Sequence, residues 1–533
     1  MRRSRSRLAY LGLLVLAALT IRCWRLGAAG FSEDEIVKLR AVEAYRRLDF
    51  SANAEHPMLM KLAALASTSG AEALNRAVLD ERGASITPEA ALRFPNALAG
   101  ALTTAVIFLL ADALFGAAVG WWAAVLWAFD VNAVAISRIG KEDSLLLLFL
   151  ITAAWCYERG KRSAPAPRAY SAAGQRWFAA AGAAFGLMTA AKYMPYFFGL
   201  HALYCRVADP HPGLNRPDKP RYYGWMAAAF LAANFAILLP QNWGHLLRYT
   251  AERLLDHTGY VFAGSIYVNQ LSATPWGVPW YYYLVFLATK VPVVLLLAML
   301  AGLAATVRQP RVRGFVFLRV FLVFILLPYS LVASKFVRYT VPLLAILDMI
   351  AAVGIVRVME GIRVEPRGRR AAAAAAIAGV VLAGPAAALA ESAPYYALYR
   401  NTLSRRVAGD ALLFPHCELY DAGMREAVRL VASRARAGAT VVSEAPRVVR
   451  EYASRLRGDL HVETLTHDGI HRSAEVWVLV QDGRIYYENL PLITMLRTTR
   501  RMDAEVRVGG VSAVQLYRLA GAGTPPSSRD TGF

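Results

Sequence analysis

"LRFPNALAGALTTAVIFLLADALFG", residues 92–116, decides the class of the fold. After Arg93, only Asp112 is ionisable in the whole run, and a helix of this length crosses about 30 Å of hydrocarbon. Comparable apolar blocks recur along the chain. They predict eleven spans, at about 8–26, 94–115, 117–136, 144–158, 176–190, 193–206, 223–240, 281–306, 314–333, 339–357 and 372–391. At 533 residues, 57% hydrophobic and a mean hydropathy of +0.36, the chain reads as a polytopic α-helical membrane protein.

Its net charge of +21 raises nucleic acid as a partner. The Lys and Arg, however, sit in short loops between apolar blocks and form no single patch interleaved with aromatics, so no nucleic-acid partner is expected. "RRSRSR" (2–7), "ERGKRSAPAPR" (158–168), "RPDKPR" (216–221), "RQPRVR" (308–313) and "RVEPRGRR" (363–370) fall in alternate loops. The positive-inside rule puts these loops and the N-terminus in the cytoplasm of a bacterial-type inner or plasma membrane. The first block is long and lacks a small-residue cleavage site, so it reads as an anchor and not as a removable signal. Cys23, Cys156, Cys205 and Cys417 offer neither a disulfide framework nor a zinc spacing.

Four segments then face outward: 27–92, 137–143, 241–280 and everything after about 392. "GATVVSEAP" (438–446), "HVETLTH" (461–467), "AEVWVLVQ" (474–481) and "AEVRVGGVSAVQLYRL" (504–519) read as strands, with a helix over 422–437. The expected organisation is a transmembrane module over 1–392, an extracytoplasmic α/β domain with a mainly parallel sheet over 393–520, and a disordered tail over 521–533.

"FSEDEIVKLRAVEAYRRLDFSANAEHPMLMKLAAL" (31–65) sets Glu33, Asp34 and Glu35 side by side next to a membrane boundary. In isolation this is a helix start, with Ser32 as cap and acids at the positive end of the dipole. The same membrane face also collects "NAEHPMLMK" (53–61), "LRFP" (92–95), "SRIGKED" (137–143), "TAAKYMP" (189–195), "PWGVPWYYYL" (275–284) and "SKFVRYTVP" (334–342). Arg93, Arg138, Lys192 and Arg338 suit a lipid-linked phosphate, and a carboxylate suits the proton of an attacking hydroxyl. Asp130, inside a span, calls for a partner such as Asn132 or Arg138, whereas Asp348 has no evident role. Tyr281–Tyr283 read as an interfacial belt in which Tyr282 supports the site. His56 reads as a hydrogen-bonded loop residue, and no obligatory metal is expected.

"FSEDEIVKLRAVEAY", "HPMLMKL", "LRFPNALAGALTTAVIFLLADALFG", "FDVNAVAISRIGKEDSLLLLFL" and "GLMTAAKYMPYFFGL" resemble, in order and spacing, the protein O-mannosyltransferases of glycosyltransferase family 39. They also resemble the aminoarabinose transferases of the GT-C superfamily. The resemblance covers roughly residues 8–360. It implies an inverting, polyprenyl-phosphate-sugar-dependent glycosyltransferase acting on the outer face, with mannose as the default sugar. The acceptor it implies is protein Ser or Thr, with a lipid or cell-envelope glycan as the alternative.

Carried over by motif, Asp34 is the base and Glu35 orients the acceptor or the loop. Arg93 lies near the donor phosphate, Asp143 is the second acidic position, and His56 and Lys61 support the site. Met58 replaces the second proline of the more usual His-Pro-Pro, and no β-trefoil repeats are present. Competing classes fit less well. A transporter or flippase keeps its charges near the midplane and often shows repeated halves, and a receptor has no need of the Asp-Glu turn.

Overall fold

The computed structural model describes residues 2–79, 83–163, 171–194, 196–200, 203, 219–252, 257–269, 277–332, 334–362, 367–409, 411–466 and 475–520. The predicted tail over 521–533, the end of the predicted sixth span and parts of three basic loops lie outside these residues. Two compact units are formed. The first comprises Met1–Gly27, Lys38–Leu254 and Pro279–Gly409; the second comprises Ala28–Val37, Leu255–Val278 and Asp410–Phe533.

The first unit is helical. Its leading helices are α1 (Arg2–Cys23), α2 (Glu33–Arg46, which starts in the second unit), α3 (Leu59–Leu74), α4 (Pro88–Phe115), α5 (Ala117–Phe129), α6 (Val131–Ser137), α7 (Asp143–Arg162) and α8 (Ala172–Ala191). Among the described residues, Ser6–Cys23, Pro88–Phe115, Arg313–Leu331, Val337–Glu360 and Gly368–Ser392 are long and apolar enough to cross a membrane. The pair α5 and α6, bent by 58°, makes a sixth if it is one span. The predicted 281–306 span is two helices, Tyr282–Lys290 and Val293–Arg308, because Pro292 follows Val291 at the break.

The bend between α5 and α6 has an identifiable cause. Asp130 leaves the helical conformation (φ −65°, ψ 114°), and its Oδ1 accepts from the backbone N–H of Asn132 at 2.7 Å and of Ala133 at 3.3 Å, capping α6. The carbonyls stranded at the end of α5 are taken by Arg22, which is fully buried. It donates to Trp127 O and Ala128 O, each at 3.1 Å. An acid at one helix start and a cation at the other's end complement both dipoles where no water is available. Of the two expected partners, Asn132 meets Asp130 through its backbone N–H, and Arg138 is engaged elsewhere. Helices Val293–Arg308 and Val341–Glu360 pack closely through glycine: a Cβ on Gly302 would lie 1.8 Å from Ile350 O, and one on Gly354 2.1 Å from Ala298 O.

The second unit holds a hairpin, β1 (His257–Phe262) and β2 (Ser265–Asn269), and a five-stranded sheet. The sheet strands are β3 (Thr440–Ser443), β4 (His461–Thr464), β5 (Glu475–Gln481), β6 (Ala504–Val508) and β7 (Val511–Ala520), in the order β4-β3-β5-β7-β6. Two pairings are parallel (β3 with β4 and β5) and two antiparallel (β7 with β5 and β6), so the sheet is mixed where a mainly parallel one was expected. The segment 504–519, read as one strand, is a hairpin. Gly509 and Gly510 take φ of +56° and +83°, which turns the chain in two residues. All seven residues of β5 are buried, and Val442, Val476, Val478, Val480, Leu496 and Tyr517 form the core.

Candidate active site among paired charges

The cluster in the first unit is built at helix ends. Asp143 stands in the first turn of α7, where a negative charge suits the dipole, and Lys192 follows the last residue of α8, where a positive charge does. They meet at 2.7 Å. Arg338, in the 3₁₀ turn Val337–Thr340, places Nε 3.8 Å from the other oxygen of Asp143. Tyr339 underlies both cations, its ring centroid 4.4 Å from Lys192 Nζ and 5.5 Å from the Arg338 guanidinium, and Phe336 lies 3.9 Å from that guanidinium. Two cations thus share one carboxylate on an aromatic floor, leaving net positive charge for an anion.

Beside Asp143 in sequence, Glu142 is fully buried and ion-paired with the equally buried Lys38 of α2; His56 Nδ1 lies 3.6 Å away. Burial opposes the charge on Glu142, but Lys38, His56, Lys141 and Lys192 outweigh it and hold the carboxyl well below the usual carboxylate range. Lys38 also donates to Asn53 Oδ1 at 2.6 Å, and Asn53 Nδ2 donates to Glu55 at 2.7 Å. Lys61 binds the carbonyls of Asn53 and His56 at 2.7 and 2.8 Å, so it pins the His-Pro loop. Burial, with Lys38 nearby, lowers the Lys61 ammonium to about 7. Asn96 of α4 holds the turn before α7 through Ile139 O and Lys141 O.

The remaining predicted cations have other surroundings. Arg93, buried in α4, donates to Leu26 O at 3.1 Å. Arg138 donates to Arg22 O (2.7 Å), Trp24 O (2.8 Å), Arg25 O (3.1 Å) and Pro394 O (3.3 Å), and lies over Tyr396; its fork is occupied by backbone carbonyls at and just after the end of α1 and by that of Pro394. Of the tyrosine triplet, Tyr281 is exposed while Tyr282 and Tyr283 are buried. Tyr283 reaches the arginine segment, donating to Phe336 O at 3.4 Å.

In the second unit the acidic turn resolves into three different roles. Ser32 and Glu35 form a capping box: Ser32 Oγ accepts from Glu35 N at 3.3 Å, and the Glu35 carboxylate accepts from Ser32 N at 2.9 Å. Glu33 pairs with Arg484 at 2.8 Å. Asp34, half-buried, accepts from the Tyr420 hydroxyl at 2.8 Å. Sequence reasoning had not selected Lys38, Glu142, Tyr339 or Tyr420. Only Glu142 carried a signal, being adjacent to Asp143. Among the described residues no group of three or more His, Cys, Asp or Glu side chains is arranged to hold a metal ion.

Residues 84–238 match the family model of dolichyl-phosphate-mannose-protein mannosyltransferase, a segment that includes Arg93, Glu142, Asp143 and Lys192. A search of curated proteins by sequence finds no match. Among solved structures, the chain is similar to ArnT from Cupriavidus metallidurans bound to undecaprenyl phosphate, with 16% identity and a TM-score of 0.54 over 95% of this chain and 98% of that one. It is also similar to the archaeal oligosaccharyltransferase AglB from Archaeoglobus fulgidus in complex with an inhibitory peptide and a dolichol-phosphate. There the identity is 11% and the TM-score 0.51, over 85% of this chain and 64% of that one. The chain therefore shares the fold of these two solved membrane proteins.

Proposed function

We propose that this chain is an inverting glycosyltransferase that moves a monosaccharide, mannose by resemblance, from a polyprenyl phosphate to a hydroxyl acceptor on the outer face of the membrane. The acceptor is protein Ser or Thr, and the same chemistry on a lipid or envelope glycan is the alternative. In this reading the chain crosses the membrane eleven times from a cytoplasmic N-terminus and carries its C-terminal domain outside.

The observation that carries the reading is the convergence of Lys192 and Arg338 on Asp143 over Tyr339, at the ends of apolar helices. A sugar phosphodiester carries one negative charge and its departing phosphomonoester approaches two. Cations fixed there therefore favour the transition state over the bound donor. The acceptor oxygen forms a bond to C1, the C1–O bond to phosphate breaks, the electron pair leaves on the phosphate, and the proton passes to Asp34. Lys192, Arg338 and Arg93 form the proposed phosphate set; Arg138 is left to hold the carbonyls at and just after the end of α1. Glu142, Lys38, Lys61 and His56 keep the loops around Asp143 in place. The open apolar pocket lined by Leu150, Ala153, Tyr157, Phe185, Leu200 and Phe321 suits prenyl units; a chain of the undecaprenyl or dolichol kind is the carrier.

The test incubates the purified protein with a panel of polyprenyl-phosphate sugars, each labelled in the sugar, together with a membrane extract. Label on a protein hydroxyl supports the preferred acceptor. Label on lipid or glycan selects the alternative, and no transfer from any lipid-linked donor overturns the reading.

A further inference from the structure

Within the second unit the acidic turn is gripped along its length by the C-terminal α/β fold. Arg425 donates to Ala28 O at 2.6 Å, and the Tyr452 hydroxyl accepts from Phe31 N at 2.6 Å. Asp421 accepts from Glu33 N at 2.9 Å and is held by Arg484 through both carboxylate oxygens, at 3.0 and 2.9 Å; the same guanidinium reaches Glu33. Asp421 stays below its ordinary range: burial opposes its charge and Arg484 overcomes it.

These groups gather where β3 and β5 end, side by side and parallel. The chain leaves β3 towards β4 on one edge, and β5 pairs with β7 on the other, so the sheet changes its winding direction between them. Glu444 directly follows β3, and Arg484 follows β5 by three residues.

The residues presented to the turn are themselves held in an uncommon conformation. Tyr420 and Asp421 take φ of +48° and +61°, the left-handed region that is unfavourable for a non-glycine residue. Two consecutive residues of this kind aim the Tyr420 hydroxyl at Asp34 and the Asp421 carboxylate at Glu33 N. A helix cap alone needs neither, since Ser32 and Glu35 already provide one.

We propose that Tyr420 is a positioning residue for Asp34: its hydroxyl fixes the carboxylate of the base, and the C-terminal α/β domain is therefore part of the catalytic apparatus. This rests on Asp34 acting as the base. A hydrogen bond donated to a carboxylate favours its charged form and fixes its plane, so it acts on both proton affinity and the geometry of proton transfer.

The experiment measures kcat, donor KM and the pH profile of kcat/KM for the full-length enzyme with a labelled polyprenyl-phosphate sugar. Wild type is measured first, so that failure of the glycosyltransferase reading shows as absent wild-type transfer. Tyr420→Phe keeps the ring and removes the donor. It should lower kcat by about tenfold, leave donor KM unchanged, and move the acid limb of the profile to higher pH. Placing 3-fluorotyrosine at position 420 makes the phenol a stronger donor with little change of shape and should move the same limb to lower pH, which keeps the proposal testable if the Phe variant fails to fold. In an Asp34→Asn background, Tyr420→Phe should add nothing further to the loss. An active wild type whose acid limb stays in place in both variants overturns the proposal, as does a full tenfold loss from Tyr420→Phe in the Asp34→Asn background.

Discussion

Glu33, Asp34 and Glu35 stand side by side, yet each meets a different partner, and the partner decides what the residue can do. Glu33 is bound by Arg484 and is half-buried; desolvation raises its carboxyl and Arg484 opposes the rise. Glu35 closes the capping box with Ser32. Asp34 is the member of the three presented with a phenolic donor, an arrangement suited to a base whose orientation matters. Asp34→Asn keeps size and polarity but cannot take the proton, so turnover should fall by about 100-fold or more while the melting temperature stays near wild type. Glu35→Gln, which still completes a capping box, should retain most of its activity. Both are read by initial rates on enzyme matched for melting temperature. A folded Asp34→Asn enzyme with wild-type turnover would reduce the turn to a structural feature. The capping box was legible in Ser32-x-x-Glu35, and the pairing of Lys38 with Glu142 was not. On α2 alone Lys38 reads as one more solvated charge, and only the folded chain brings the turn before α7 to it.

At the scale of elements, the broken α5–α6 pair is a costly piece of backbone, because a break inside an apolar layer exposes carbonyls that water cannot reach. Arg22 and Asp130 offset this from either side. Arg22→Met, close in length and apolar, should leave Trp127 O and Ala128 O without their donor and lower stability by about 2–4 kcal/mol. A thermal melt in detergent checks this; an unchanged melting temperature would mean that the break is supported some other way. The need for a partner at Asp130 was readable from its place in an apolar run. That the partner is the backbone of its own next turn was not, since the sequence does not show that the span breaks there. The strands of the α/β domain were readable from their β-branched alternation, and the Gly509-Gly510 turn was a hairpin signal inside what read as one strand. Strand order escaped the sequence because β5 pairs with β3 on one side and β7 on the other through contacts that leave no local pattern.

For the whole molecule, the proposed topology places Cys417, half-buried in the helix Pro415–Leu419, outside the cell. A membrane-impermeant thiol reagent should label it in intact spheroplasts; labelling that requires lysis would reverse the orientation. In the proposed reaction the sugar arrives on a lipid phosphate, and this phosphate is the leaving group. Purified enzyme, acceptor and a doubly labelled polyprenyl-phosphate sugar test it most directly by following lipid and sugar together. One free polyprenyl phosphate should be released for each sugar transferred, with the anomeric configuration inverted and with no transfer when a nucleotide sugar is the sole donor. Transfer from the nucleotide sugar without any lipid intermediate would contradict it.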